Sequence, residues 1–294
     1  MFDTILGHQS VKTSLGKDLR NHSFHQSYLF SGPAYIGKMI LVQEFSSLIA
    51  TGQPFDQKSP FATAFLAGQG PNLLTFLDHG ESLKIEEIRT IHSFISRRTQ
   101  EGRFSLCVIE HLERLTHSAA NAFLKNLEEP TPQCIYLLTT RHEQSLLPTI
   151  RSRVQLYRCS NPPFIEVRHF LEKGIQNEPL IQEVLKLSQG RIGLALALAK
   201  DETLLTKYRM LWDFAVLVLE KDVVEKFSLA EHLAGENFSD GDLSTFLGFL
   251  ALKLRREEQQ RFLPTLERTL QLHHLFSETQ VNKRLALENL FLKL

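Results

Sequence analysis

At 294 residues with 43% hydrophobic side chains, the chain holds enough apolar material for two or three domains with a sizeable core, which excludes global disorder. Lysine plus arginine equals aspartate plus glutamate, 33 each, so no bulk field draws the chain onto DNA or an anionic membrane. Any contact with nucleic acid has to come from a local patch or a larger assembly. Cys107, Cys134 and Cys159 are far apart and lack metal-ligand spacing, which suits buried, reduced thiols. The first residues carry neither a basic segment nor an apolar run of signal-peptide length, and no apolar run reaches a membrane span. A soluble, cytoplasmic protein is expected.

Val11, Leu15 and Leu19 recur at helical spacing and predict a helix from about Ser10. Ser27 to Ser31 reads as the first core strand, and Leu41, Phe45 and Leu48 mark one face of a helix over 40–50. Between them, Gly32-Pro33-Ala34-Tyr35-Ile36-Gly37-Lys38 matches G-x-x-x-x-G-K in the strand–turn–helix setting a phosphate-binding loop requires. Residues 51–71 are broken by Gly52, Pro54, Pro60, Gly68, Gly70 and Pro71 and read as an irregular insertion or a pair of short elements. Asn72 to Leu77 is a second strand. Ile85, Ile88, Ile91 and Ile95 space a helix that closes on a basic corner, Arg97-Arg98.

Phe104 to Glu110 is a continuous apolar run ending in a carboxylate, the pattern of a strand buried on both faces of a parallel sheet. Ala120, Phe123, Leu124 and Leu127 form one helix face, stopped by Pro130 and Pro132. Cys134 to Thr139 is another buried strand, Leu146 to Ile150 a short helical turn, and Val154 to Arg158 a last strand. This alternation over residues 1–160 predicts an α/β domain with a mostly parallel five-stranded sheet. Ser160-Asn161-Pro162-Pro163 reads as a linker, after which strand signals vanish. Residues 161–203 read as a small helical unit with a turn at Gly190–Gly193. Residues 204–294 are helical again, interrupted at 235–242 and at Pro264, with Leu287, Leu290, Phe291 and Leu294 on one face of the last helix.

A working phosphate loop needs glycines for close backbone approach, a lysine for the β/γ-phosphates, a hydroxyl for Mg²⁺, and a carboxylate pair on a nearby strand. Gly32, Gly37 and Lys38 supply the first two. The next position is Met39, a thioether unsuited to a hard cation. Glu110 has the reach of a metal shell, but His111 falls where the water-activating carboxylate belongs, and Tyr35 puts bulk in the turn. These departures predict a degenerate nucleotide site without hydrolysis of its own. The glycines and lysine alone also suit an ordinary turn with a solvated lysine.

Pro148-Thr149-Ile150-Arg151-Ser152-Arg153 places two arginines between a short helix and a strand. They read either as surface charges with acidic partners or as an arginine offered to a neighbour's γ-phosphate. Arginine's planar, permanently charged fork suits the second task, which is worth about 10³–10⁵ in rate. No metal site is expected: His273-His274 point to different helix faces, and His22 and His25 have no third ligand in reach.

Several blocks resemble the bacterial DNA polymerase III clamp-loader family of the AAA+ class. They are the opening Phe2-Asp3-Thr4-Ile5-Leu6-Gly7-His8, the loop with Gly32-Pro33 and Gly37-Lys38, and Lys84-Ile85-Glu86-Glu87-Ile88-Arg89 followed by Glu101-Gly102-Arg103. Ala119-Ala120-Asn121-Ala122-Phe123-Leu124-Lys125 with Leu127-Glu128-Glu129-Pro130 is more specific. So is Leu146 to Arg153, which matches all but the last residue of a Ser-Arg-Cys segment, Val154 replacing the Cys. Asn282 with Leu285-Ala286-Leu287-Glu288 resembles the end of the family's collar.

The resemblance implies an AAA+ nucleotide-binding-like domain over 1–160, a helical lid over 161–203 and an all-helical collar for oligomerisation over 204–294. Met39, His111 and Leu194, the last in place of a sensor arginine with Arg191 three residues early, point to the non-hydrolysing delta-prime branch. That branch lends an arginine finger, by resemblance Arg153, in trans to a gamma/tau neighbour whose own site binds ATP. Implied partners are gamma/tau and delta subunits and, through the assembly, the sliding clamp and primed DNA, with no membrane. Many relatives carry a four-Cys zinc module around residues 50–70; Thr51 to Pro71 has no Cys, so no zinc is expected. The alternatives are a live gamma/tau-like AAA+ ATPase and a DNA-binding adaptor.

Overall fold

Continuous apolar runs become the centre of one sheet. In the computed structural model, which describes residues 2, 5–96, 103–131, 133–235, 237–256, 267–269, 271–272 and 282–294, β1 (Ser27–Ser31), β4 (Ser105–Ile109) and β5 (Cys134–Thr140) are buried at every residue. That is what strands covered on both faces require. With β2 (Gln69–Gly70), β3 (Leu73–Phe76) and β6 (Gln155–Arg158), they form a six-stranded sheet of order β2-β3-β4-β5-β1-β6. All neighbours run parallel except β2, which pairs antiparallel with β3 through Gln69–Leu74 and Gly70–Leu73. The expected five parallel strands are present, and the sixth is an added two-residue edge strand from the 51–71 segment.

Strand alternation splits the core in two. Tyr28, Phe30, Leu106, Val108 and Leu137 face one side, where they meet Val11 and Leu15 of α1 (Gln9–Asn21) and Leu41, Val42 and Phe45 of α2 (Lys38–Thr51). Leu29, Cys107, Ile109, Tyr136 and Leu138 face the other, against Ile88, Ile91 and Phe94 of α4 (Ile85–Ile95) and Ala119 and Phe123 of α5 (His117–Glu128). Each fully buried Val, Leu, Ile or Phe among them contributes about 1.5–3 kcal/mol. The three cysteines are free and buried.

The 51–71 segment is more ordered than its punctuation suggests. Ser59 caps α3 (Pro60–Leu66) by accepting the Ala62 N–H, with Pro60 in the first turn. Phe55, Phe61 and Phe65 pack ring against ring at 6.0–6.4 Å. The Glu44 carboxylate of α2 accepts the Phe55 N–H at 2.8 Å.

The chain divides into two compact units, Met1–Leu196 and Ala197–Leu294. The first holds α6 (Pro148–Arg151) between β5 and β6 and continues past the sheet through α7 (Phe164–Glu172), α8 (Glu178–Ser188) and the start of α9 (Ile192–Lys200). Val167, Leu171, Ile181, Val184, Leu185, Leu187 and Ser188 are the buried residues of α7 and α8. The second unit is helical: α10 (Glu202–Glu220), α11 (Val223–Ala234), α12 (Asp240–Arg256) and a final helix Lys283–Phe291. Trp212 meets Phe249 at 5.2 Å, and Phe246 meets Phe291 at 6.0 Å. Leu287, Leu290 and Phe291 are buried. Arg97-Arg98, Glu101-Gly102, Pro132, Pro264 and His273-His274 lie outside the described residues. Among the described residues, no helix is long and apolar enough to cross a membrane.

Candidate functional site

The loop between β1 and α2 has the phosphate-loop path, and its carbonyls are already taken by the chain itself. Gly32 has φ +153°, and a Cβ there would lie 2.3 Å from the Cys159 carbonyl, so the turn admits only glycine. Gly37 (φ +97°) opens α2. Tyr35 holds a left-handed φ of +65°, and its side chain is 56% exposed, so it points out of the turn.

Lys38 Nζ donates to the carbonyls of Gly32 and Pro33, the latter at 2.7 Å. His8 Nε2 donates to the Ile36 carbonyl at 2.8 Å, and the Gly193 N–H donates to the Tyr35 carbonyl at 2.8 Å. Lys38 is only 6% exposed, and burial pushes its ammonium down to about 8. Burial also lowers the His8 imidazole, aided by the charges of Lys12 and Lys38 against the pull of the Ile36 bond. Beneath the loop, burial raises the Cys159 thiol to about 11, which keeps it protonated. Met39, at the position that holds Mg²⁺ in active loops, packs half-buried against the α1–α2 core.

The carboxyl ends of β3, β4 and β5 form a second cluster, where ligands bind in open parallel sheets. Glu110 accepts the Asp78 N–H at 2.9 Å. His111 holds a left-handed φ of +56°, and its N–H donates to Thr139 Oγ1 at 3.0 Å. Its ring nitrogens lie 3.3 Å from Glu113, 3.8 Å from Asp78 and 3.9 Å from Glu110. Arg114 donates to the carbonyls of Glu110, Glu81, Phe76 and Leu77 and sits 3.4 Å from Asp78. Arg141 lies 3.7 Å from Asp78. Burial raises the Glu113 carboxyl, but His111 beside it, the Arg141 N–H at 2.9 Å and the Thr140 hydroxyl outweigh that and hold it at about 2. Among the described residues, no three such side chains converge as a metal-ligand set.

Of the residues expected to act together, Gly32, Gly37 and Lys38 share one loop, and the charges of Glu113 and Glu110 act on Lys38. Asp78, Glu113, Arg114 and Arg141 were not anticipated as site residues. The one available signal was the polar run after the strongest strand, Glu110 to Arg114, which a short 3-10 turn (Leu112–Arg114) folds back over the sheet end. Arg153 stands elsewhere, after α6 and against the end of α5. Its NH1 donates to the Thr149 carbonyl at 3.0 Å and to Ser152 Oγ at 3.2 Å, and its NH2 lies 2.9 Å from Glu128 Oε1. Leu194, at the position the resemblance gives to a sensor arginine, is buried, and Arg191 Nε donates to the Ser188 carbonyl at 3.0 Å.

A family described as DNA polymerase III, delta subunit, matches residues 7–163, more than half of the chain and all of the sheet. The chain belongs to that family. A DNA polymerase III subunit delta' of Pseudomonas aeruginosa is 28% identical over 56% of this chain and 52% of its own length. One of Bacillus subtilis is 30% identical over 58% and 49%. The tau/gamma subunit of Haemophilus influenzae is 26% identical over 67% of this chain and 30% of its own length. The match thus spans about half the length of the delta' relatives and about a third of the tau/gamma relative.

In structure, a gamma subunit-related protein of Thermotoga maritima aligns with TM-score 0.54 and 22% identity over 95% of this chain and 97% of that one. A RuvB variant from Thermotoga maritima aligns with TM-score 0.52 and 14% identity over 97% and 89%. At these identities the likeness concerns the fold, which is the expected AAA+ type. By family, the chain is a DNA polymerase III subunit whose named relatives are of both the delta' and the tau/gamma type.

Proposed function

We infer that this chain is the non-hydrolysing, delta-prime-type subunit of a DNA polymerase III clamp loader. In that reading it presents Arg153 in trans to the ATP site of a gamma/tau neighbour, while the cytoplasmic assembly, with a delta subunit, places the sliding clamp on primed DNA. Residues 1–160 serve as the AAA+ domain, 161–203 as its lid and 204–294 as the oligomerising collar. The relatives named delta' and tau/gamma support the assembly; in this reading ATP is bound by the partner subunits.

The observation that carries the non-hydrolysing half is the placement of Met39, half-buried against the core at the position where a working loop has the hydroxyl that holds Mg²⁺. Met39 offers no hydroxyl and points into the core. Glu110 is engaged by the Asp78 amide, and His111 replaces a carboxylate. Each change removes a separate requirement for moving a phosphoryl group.

The test has two arms. The isolated chain with Mg-ATP is expected to show neither saturable nucleotide binding nor turnover; robust Mg²⁺-dependent hydrolysis would instead make it a gamma/tau-type ATPase. In an assembly reconstituted with gamma/tau and delta, Arg153→Ala is expected to remove one site's share of DNA- and clamp-stimulated turnover, since a finger is worth about 10³–10⁵ at the site it serves. An undiminished rate would overturn the finger. Tight, salt-sensitive DNA binding by the isolated chain would favour an adaptor.

A further inference from the structure

The candidate finger is folded back on its own chain. NH2 of Arg153 meets Glu128 at 2.9 Å, and NH1 is given to the Thr149 carbonyl and the Ser152 hydroxyl. Glu128 is the last residue of α5 and Arg153 follows α6, so two separate elements make the contact. Glu128 stands where a carboxylate faces the negative end of the helix dipole, and the guanidinium compensates for that placement.

A γ-phosphate would demand the same N–H fork that Glu128 and Thr149 now use. A carboxylate at one nitrogen and a phosphate with three charged oxygens compete for one cation, and the phosphate can engage the fork at two nitrogens where Glu128 holds one. The pair is also 36% and 48% exposed, so water and salt screen it and it yields readily.

We propose that Glu128 is a latch on Arg153: it holds the guanidinium on its own chain until a phosphate outcompetes the carboxylate, and so restrains turnover at the neighbour's site before DNA and clamp arrive. This rests on the reading of Arg153 as a residue acting in trans. Glu128 touches no reacting atom; it is a positioning residue that acts through Arg153.

Glu128→Gln keeps the shape and removes the charge. Two measurements read it. The first is the rate of phenylglyoxal modification of Arg153 in the full chain, followed by peptide mass spectrometry. The second is ATP turnover of the reconstituted assembly, with and without DNA and clamp. The variant is expected to speed modification roughly two- to five-fold, the range an exposed pair supports. It should raise unstimulated turnover by a similar factor and leave stimulated turnover unchanged, so the stimulation ratio falls. High salt should bring the wild-type modification rate up to that of the variant, and Glu128→Asp should stay near wild type.

A merely structural glutamate would lower both turnover rates together and leave their ratio intact. An unchanged modification rate, or a lower stimulated turnover, overturns the latch. If Arg153→Ala leaves stimulated turnover intact while Glu128→Gln still speeds modification, the trans reading fails and the hold of Glu128 on Arg153 stands. The two failures are therefore distinguishable.

Discussion

The N–H of Gly193 donates to the carbonyl of Tyr35 at 2.8 Å. The opening of α9 is thereby tied directly to the loop that would otherwise enclose a phosphate. A Cβ on Gly193 would lie 2.8 Å from that same oxygen, closer than real Cβ atoms come, and a backbone carbonyl does not move aside cheaply. Glycine in a helix is itself a disadvantage of roughly 0.5–1 kcal/mol against alanine. Gly193→Ala is nevertheless expected to destabilise the protein, by about 1–2 kcal/mol net, because the clash exceeds the propensity gain. Thermal unfolding and amide exchange at Tyr35 to Gly37 read the two consequences: a lower Tm and faster exchange. An equal or higher Tm would show that the loop gives way without strain.

Lys38 makes stability depend on alkaline pH. Its ammonium sits at about 8 in the fold against 10.5 when exposed, with burial as the main cause. A cation whose folded value is depressed destabilises the fold while it remains charged, and the unfolded chain binds more protons between the two values. Stability contributed at this position is therefore lowest below about 8 and rises until about 10.5, by on the order of 3 kcal/mol. Other groups titrate in the same window, the neighbouring Cys159 among them. The quantity to measure is the stability of the wild type minus that of Lys38→Met, by urea unfolding from pH 7 to 10.5. It is expected to climb with pH; a flat difference would mean that Lys38 is solvated in the folded protein.

Residues 51–71 are held by aromatic packing. Phe65 is fully buried, lies 6.0 Å from Phe55 and 6.3 Å from Phe61, and its carbonyl accepts the Thr75 hydroxyl at 2.7 Å. Phe65→Ala should cost about 3–5 kcal/mol, as removal of a buried ring does. A chelator should leave the unfolding curve of the wild type unchanged. A chelator-induced drop in Tm would point to a metal in place of the rings as the anchor of this segment.

Sequence patterns stop being informative where contacts join remote parts of the chain. β1, β4 and β5 are legible because a strand buried on both faces must be apolar throughout. Gln69–Gly70 carry no pattern at all; their pairing follows from the return of the chain after α3, where the Thr75 N–H donates to the Gly68 carbonyl at 2.8 Å. At the phosphate loop, spacing identified Gly32, Gly37 and Lys38, but the direction of Lys38 depends on carbonyls whose neighbours are tied down by His8 and Gly193, both remote along the chain. The Glu128–Arg153 contact is invisible for the same reason: each residue belongs to a recognisable block, and only the fold brings the blocks together.

Glu113 supplies the acid-side counterpart of Lys38. It is a half-buried carboxylate held at about 2 against the usual 4.5: burial pushes it up, while His111, the Arg141 N–H and the Thr140 hydroxyl together pull it down further. For a carboxyl depressed in the fold, the stabilisation is complete above about 4.5 and is lost as pH falls toward 2. The loss is on the order of 2–3 kcal/mol. Glu113→Gln removes the charge but keeps an acceptor for the Arg141 amide, so it should unfold less steeply in acid and be the less stable protein at neutral pH. The decisive readout is the difference in unfolding free energy between wild type and Glu113→Gln from pH 6 to pH 2.5. It is expected to favour the wild type at the upper end and to shrink steadily below about pH 4.5. A difference constant across that range would mean that the carboxylate is not paired in the fold, and that the polar cluster at the sheet end is solvated rather than closed on itself.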